Sequence, residues 1–129
     1  LIDEKGLQND VALTGELRRD ILLRYIKASD VFVLNTGYEG LSHQLLEVMD
    51  VGTPIVTTNV GGNPEIIENE KNGLTMPFND EKKLVKNIIK LLDNKEYADK
   101  LAREAKNKVK EFNKEKMFRA TADILKNLC

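Results

Sequence analysis

The sequence predicts an α/β fold: a Rossmann-like parallel sheet of about four strands with helices on both faces. Three observations predict it. Residues 31–65, VFVLNTGYEGLSHQLLEVMDVGTPIVTTNVGGNPE, read as strand, glycine-containing turn, short helix, strand and double glycine. Strand–helix–strand within about thirty residues is a βαβ unit, whose two strands lie parallel. From Asp80 onward the apolar residues recur at helical spacing, giving amphipathic helices to cover the sheet.

The elements follow in order. Residues 1–6 read as the tail of a helix whose start is absent, with Gly6 as its stop. The chain also begins at Leu1 without a methionine, so a fragment of a longer protein is expected. Residues 11–14 form the first expected strand. Gly15 turns it toward a helix over residues 18–28, with Ile21, Leu22, Tyr25 and Ile26 as its apolar stripe. Val31 to Leu34 is a continuous apolar run, short enough for a strand buried on both faces. Asn35, Thr36, Gly37 and Gly40 then supply turn chemistry.

Ser42 caps a helix running to Asp50, with Leu45, Leu46 and Met49 on its buried face. Gly52 and Pro54 end that helix, and Ile55–Thr58 is the next, β-branched strand. Gly61-Gly62 permits close backbone approach, either to a ligand or to a neighbouring loop. Pro64 suits the first turn of a helix reaching Asn69. Asn72-Gly73 marks a turn before a last short strand, residues 74–77, that ends at a proline.

Asp80 caps a helix whose Leu84, Val85, Ile88, Ile89, Leu91 and Leu92 form one wide apolar face. A second helix carries Tyr97, Leu101, Ala105, Val109 and Phe112. A third carries Met117, Phe118, Thr121, Ile124, Leu125 and Leu128. These stripes read as core rather than as cofactor sites. Charge is divided unevenly: residues 82–129 hold 14 Lys+Arg against 7 Asp+Glu, and residues 1–81 hold 6 against 14. A basic helical tail, residues 80–129, beside an acidic body suits peripheral contact with anionic lipid. A solvated face is the plainer account.

At 129 residues this is one domain, and hydrophobic content of 41% with 32% charge excludes a disordered chain. No apolar run approaches a membrane span and no signal peptide is present, so a cytoplasmic protein is expected. The single cysteine, Cys129, excludes a disulfide framework and cysteine-based metal sites. His43, the only histidine, has neither a second histidine nor an acidic cluster to make a metal site with. It reads as a polar surface residue of the first helical turn. No cofactor and no nucleic-acid partner are expected.

The chemistry gathers before the central helix. Gly40, Leu41 and Ser42 lie where a helix N-terminus offers unpaired N–H groups and the positive end of its dipole, a place suited to phosphate. Glu39 lies in the turn before the helix and Glu47 eight positions later. An anion site beside a carboxylate able to bridge vicinal hydroxyls fits a sugar nucleotide. An ordinary cap and a solvated glutamate explain the same residues without a ligand. Arg18, Arg19 and Arg24 could face phosphate, and solvated helix positions explain them equally well.

The string E-G-L-S-x-x-L-L-E-V-M followed by G-T-P-I-V-T-T-N-V-G-G-N-P-E resembles the core of retaining glycosyltransferase family 4. The hallmark of that family is two glutamates separated by seven residues, which Glu39 and Glu47 match. The likeness continues through residues 11–15, 29–34, 61–62 and 73–77, covering roughly the first two thirds of the chain. Leu41 stands where phenylalanine is common and Ser42 where glycine is common. The resemblance implies part of the C-terminal, donor-binding domain of a GT-B fold, in an enzyme acting on glycan or lipid-linked acceptors. It implies that Glu39 lies against the donor sugar as catalytic residue and that Gly40, Leu41 and Ser42 give amides to sugar and phosphate. Glu47 would hold the ribose hydroxyls, Gly61 and Gly62 would flank the donor pocket, and the turn at Gly15 would lie near the base.

The implied partners are a UDP-, GDP- or ADP-sugar and an N-terminal acceptor domain outside this chain. Without that domain the fragment is expected to catalyse nothing. An open sheet edge would invite edge-mediated pairing with a second copy. A sugar-nucleotide epimerase, or a non-catalytic nucleotide-sugar-binding module of the same fold, is the alternative reading.

Overall fold

The computed structural model describes residues 1–112. Its sheet has three parallel strands in the order β1 (Phe32–Leu34), β2 (Ile55–Thr58), β3 (Leu74–Met76). Every residue of β2 is buried, as befits a central strand covered on both faces. Around the sheet run α1 (Arg19–Ala28), α2 (His43–Val51), α3 (Asn63–Ile66), α4 (Glu81–Asp93) and α5 (Lys95–Val109). A 3-10 turn, Lys110–Phe112, follows. Among the described residues no helix is long and apolar enough to cross a membrane.

Side-chain alternation along β2 separates the two layers. Ile55 enters one core with Ile26 of α1, Leu45, Val48 and Met49 of α2, and Ile66 and Ile67. Val56 enters the other with Leu74, Met76, Leu91 of α4, and Ala98 and Leu101 of α5. Leu45, Val48 and Met49 are fully buried, and each contributes about 1.5–3 kcal/mol through removal of apolar surface from water. The α2 boundaries are fixed locally. Ser42 Oγ accepts the Leu45 N–H at 3.4 Å, and Gly52 ends the helix in the left-handed region at φ 88°.

The structure corrects several expectations. β1 is not buried on both faces: its residues are half-buried or exposed, because it lies at the edge of the sheet. Residues 11–14 are not a strand, so the sheet has three strands rather than four; Val11 and Leu13 are exposed, with neither a ladder nor an apolar face to hold them. Tyr25 points to solvent, and Leu22, Leu23 and Ile26 form the packed stripe of α1. Only one side of the α4 stripe is covered: Leu84, Ile88 and Leu91 pack, whereas Val85, Ile89 and Leu92 are about half exposed. The helix starting at Pro64 ends at Ile66, not Asn69, because the Asn72 side chain takes over its backbone groups, donating to Ile66 O and accepting the Glu68 N–H. The helix expected over residues 117–128 lies outside the described residues.

The two sheet edges differ. Strand alternation turns the Thr75 N–H and C=O away from β2, and two asparagines close that edge. Asn69 Oδ1 accepts the Thr75 N–H at 2.8 Å, and Asn87 Nδ2 donates to Thr75 O at 3.3 Å. At the other edge Val33, paired side by side with Val56, turns its amide outward, and no described element pairs with it.

The turn after β2 packs directly on the loop after β1. Gly61 has φ 53°, and a Cβ built there would lie 1.7 Å from Glu39 O; one built on Gly62 would lie 2.6 Å from Gly40 O. Both glycines are therefore required by contact. At Gly52 a Cβ would meet nothing nearer than Lys106 Cδ at 3.8 Å. Gly52→Ala should lower stability by about 1–2 kcal/mol, the conformational penalty alone, and Gly61→Ala by clearly more, since the loops must also separate. Thermal unfolding of the two variants decides this; equal losses would show that the loops part freely.

Far from those loops, Glu68 ties the segment before β3 to the end of α5. Its carboxylate meets Lys108 and Lys71, each at 2.8 Å. The bond from Lys108, then that from Lys71, lowers its pKa from 4.5 to about 2. A depressed carboxylate pKa stabilises the fold above its unfolded value and loses that contribution as pH falls toward the folded one. Stability should therefore fall between about pH 5 and pH 2 more steeply in the wild type than in Glu68→Gln. Parallel Tm–pH curves for the two proteins would remove Glu68 from the account.

Candidate functional site

At the carboxyl ends of β1 and β2 the chain from Leu34 into the following loop is held at four carbonyls. Thr57 Oγ1 donates to Leu34 O at 3.0 Å and Thr58 Oγ1 to Thr36 O at 2.7 Å. Thr36 Oγ1 donates to Tyr38 O at 2.8 Å, and the Gly62 N–H donates to Glu39 O at 3.1 Å. Behind them the fully buried Asn63 donates through Nδ2 to Thr57 Oγ1 at 3.2 Å and Thr58 O at 3.1 Å. Its Oδ1 has no partner among the described residues. A loop fixed at this many points has little freedom left, so the backbone at Glu39 is placed by β2 and the double glycine.

This arrangement brings six of the eight sequence-predicted residues together: Glu39, Gly40, Leu41, Ser42, Gly61 and Gly62. Glu39 is half-buried and, among the described residues, forms no ion pair. Gly40 is exposed, and a Cβ there would meet nothing within 4 Å. Ser42 is buried as the α2 cap. The amides of Gly40, Leu41, Ser42 and His43 donate to no acceptor among the described residues, leaving free donors at and just before the positive end of α2. Leu41 turns its half-buried side chain into the core beneath the loop, which explains an aliphatic residue there.

The remaining residues lie apart. Glu47 sits midway along α2, one third exposed, and pairs with Arg19 of α1. Gly15 adopts φ 61° in an exposed turn whose surroundings are empty. His43 is the exposed first residue of α2. The sequence reading missed Thr36, Thr57, Thr58, Asn63 and the Arg19 contact. Two threonines on a wholly buried strand were the available signal, since buried hydroxyls must find acceptors.

The face carrying Glu39 is open rather than hollow. A cavity of about 440 Å³, bordered by Lys27, Asp30, Thr53, Pro54 and Lys95, lies instead at the amino ends of β1 and β2. In parallel sheets the carboxyl end is where ligands sit, and the unpaired amides and Glu39 are there. The hollow at the other end carries Asp30, Lys27 and Lys95 but lies away from the carboxyl ends of the strands. An open face with built chemistry fits one wall of a cleft.

A family model described as glycosyl transferases group 1 matches residues 1–108. Similar proteins include the amylovoran biosynthesis glycosyltransferase AmsK of Erwinia amylovora, 30% identical across 98% of this chain and 33% of that protein. A second is the UDP-Gal:alpha-D-GlcNAc-diphosphoundecaprenol alpha-1,3-galactosyltransferase of Escherichia coli, 32% identical across 60% of this chain and 20% of that protein. The chain thus spans a third or less of the curated relatives named here. Among solved structures, sucrose-phosphate synthase from Thermosynechococcus elongatus superposes with a TM-score of 0.90 at 26% identity, over 98% of this chain and 32% of that one. HepE of Anabaena in complex with UDP superposes at 0.89 and 24% identity, over 98% and 35%. The family match over most of the chain, with a parallel sheet and an acid-bearing loop at its carboxyl end, establishes that this chain belongs to the glycosyl transferases group 1 family.

Proposed function

We propose that the chain is the donor-binding part of a retaining glycosyltransferase that moves a sugar from a nucleotide to a glycan or lipid-linked acceptor. The observation that carries this reading is the clamped loop of residues 35–41. It holds a carboxylate beside unpaired amides at the start of α2, on the face where a parallel sheet receives ligands. In this reading Glu39 lies against the donor sugar, and the amides of Gly40, Leu41 and Ser42 stabilise charge on sugar oxygen and diphosphate. Glu47 accepts the ribose hydroxyls. Gly61 and Gly62 form the floor of the pocket, and Gly15 lies near the base.

HepE has been captured with UDP and with UDP-glucose, and the name of the E. coli relative specifies UDP-Gal. These support a nucleotide-sugar as the ligand. The open face calls for a second wall, supplied by an acceptor domain, and this chain alone would then be inactive. A single cysteine agrees with a reducing, cytoplasmic compartment. The excess of basic residues beyond residue 81 suits peripheral contact with the inner face of the membrane.

Calorimetric titration of the full-length protein with UDP, GDP, ADP and their glucose conjugates tests the assignments. Glu47→Gln should weaken the preferred diphosphate about tenfold or more, the effect of losing hydrogen bonds to a charged group. Glu39→Gln should leave that affinity within about threefold and remove whatever the sugar adds, since its contact is to the sugar alone. Unchanged binding in both variants would dismiss the site.

A further inference from the structure

Both Nε and Nη2 of Arg19 converge on one oxygen of Glu47, reaching Oε1 at 2.7 and 2.6 Å. The residues are 28 apart in sequence and lie on different helices. Arg19 stands at the first turn of α1, three and seven residues before Leu22 and Ile26, hence on the same helical face. Leu22 and Ile26 pack into the core shared with α2, and Thr53 Oγ1 donates to Ile26 O at 2.7 Å, anchoring the far end of α1 to the α2–β2 turn. The packed face of α1 therefore delivers its guanidinium to Glu47 as a consequence of the fold.

As an isolated pair this contact contributes little to stability, because Arg19 is 74% exposed and Glu47 32%. Its geometry is informative in another way. A glutamate on a helix surface samples many rotamers, and fixing one opposes ligand binding. A guanidinium fork fixes it beforehand. Both donors fall on Oε1, so Oε2 keeps its accepting capacity for a ligand hydroxyl.

We infer that Arg19 is a positioning residue for nucleotide recognition, holding Glu47 by Oε1 so that Oε2 meets a ribose hydroxyl. The inference rests on the proposed role of Glu47 in binding ribose. Arg19 touches the carboxylate and acts on the nucleotide through it.

The test compares ribonucleoside diphosphates with their 2′-deoxy counterparts. Titrations of UDP, GDP and ADP into the full-length protein identify the tightest, and its affinity is set against that of the deoxy form in wild type, Glu47→Gln, Arg19→Ala and Arg19→Lys. Wild type should prefer the ribonucleotide about tenfold or more, and Glu47→Gln should abolish the preference. Arg19→Ala should reduce it to about threefold or less while moving the deoxy affinity little, and Arg19→Lys, with charge but no fork, should restore part of it. A destabilised helix would weaken both ligands equally and leave the ratio alone, so the ratio separates positioning from structure. If Glu47→Gln abolishes the preference and Arg19→Ala does not, or Arg19→Ala tightens binding, the role of Arg19 falls and that of Glu47 stands. If Glu47→Gln leaves the preference intact, or no diphosphate binds, both fall.

Discussion

The structure depends on one close approach, that of the turn after β2 to the loop after β1. Glu39 O occupies the place a side chain at Gly61 would need, and the Gly62 amide donates to it. That contact forms only if β1 and β2 are in register, which places Thr57 and Thr58 where their hydroxyls reach Leu34 O and Thr36 O. A slip of one residue would turn those hydroxyls to the opposite faces and leave the carbonyls unpaired. Strand register, loop shape and glycine identity are thus one constraint, and the backbone position of Glu39 is its outcome.

The periphery divides between surfaces that are finished and surfaces that are not. The β3 edge is closed by Asn69 and Asn87, and the Glu68–Lys108 pair locks the end of α5 over the same side of the molecule. At the other edge no described element pairs with β1, and Val33 is 38% exposed. An unpaired strand edge is a surface of the kind proteins cover. The incompleteness shares the β1 edge with the open face carrying Glu39, so the sheet and the proposed cleft lack cover on the same side.

What could be read from the sequence was what short-range chemistry determines. Ser42 and Asp80 each cap the helix that follows through their own side chains, and Gly52 ends α2 in the left-handed region. The βαβ unit and the glutamate spacing were equally plain, since both lie within a short window. Expectations failed where a partner decides. Residues 11–14 have the composition of a strand and pair with nothing among the described residues. Tyr25, Val85, Ile89 and Leu92 have the right period, but a helix face is buried only as far as its neighbour extends. The hydroxyl ladder and the Arg19–Glu47 contact join residues more than twenty positions apart, beyond the reach of any local pattern.

The two glutamates differ in a way that spacing could not reveal. Glu47 arises from the regular part of α2, where backbone geometry fixes its Cβ but leaves its long side chain mobile, and an external cation supplies the missing restraint. Glu39 arises from a loop, where the backbone would ordinarily be the uncertain part. Here the backbone is bound at Leu34, Thr36, Tyr38 and Glu39 carbonyls, and the side chain has no cation among the described residues. A carboxylate paired with arginine has part of its accepting capacity already used, which suits orienting a neutral diol. One held only through its backbone keeps its full charge available where positive charge would develop in a reacting sugar. The same chemical group is therefore placed by opposite means, and each means matches the role proposed for it.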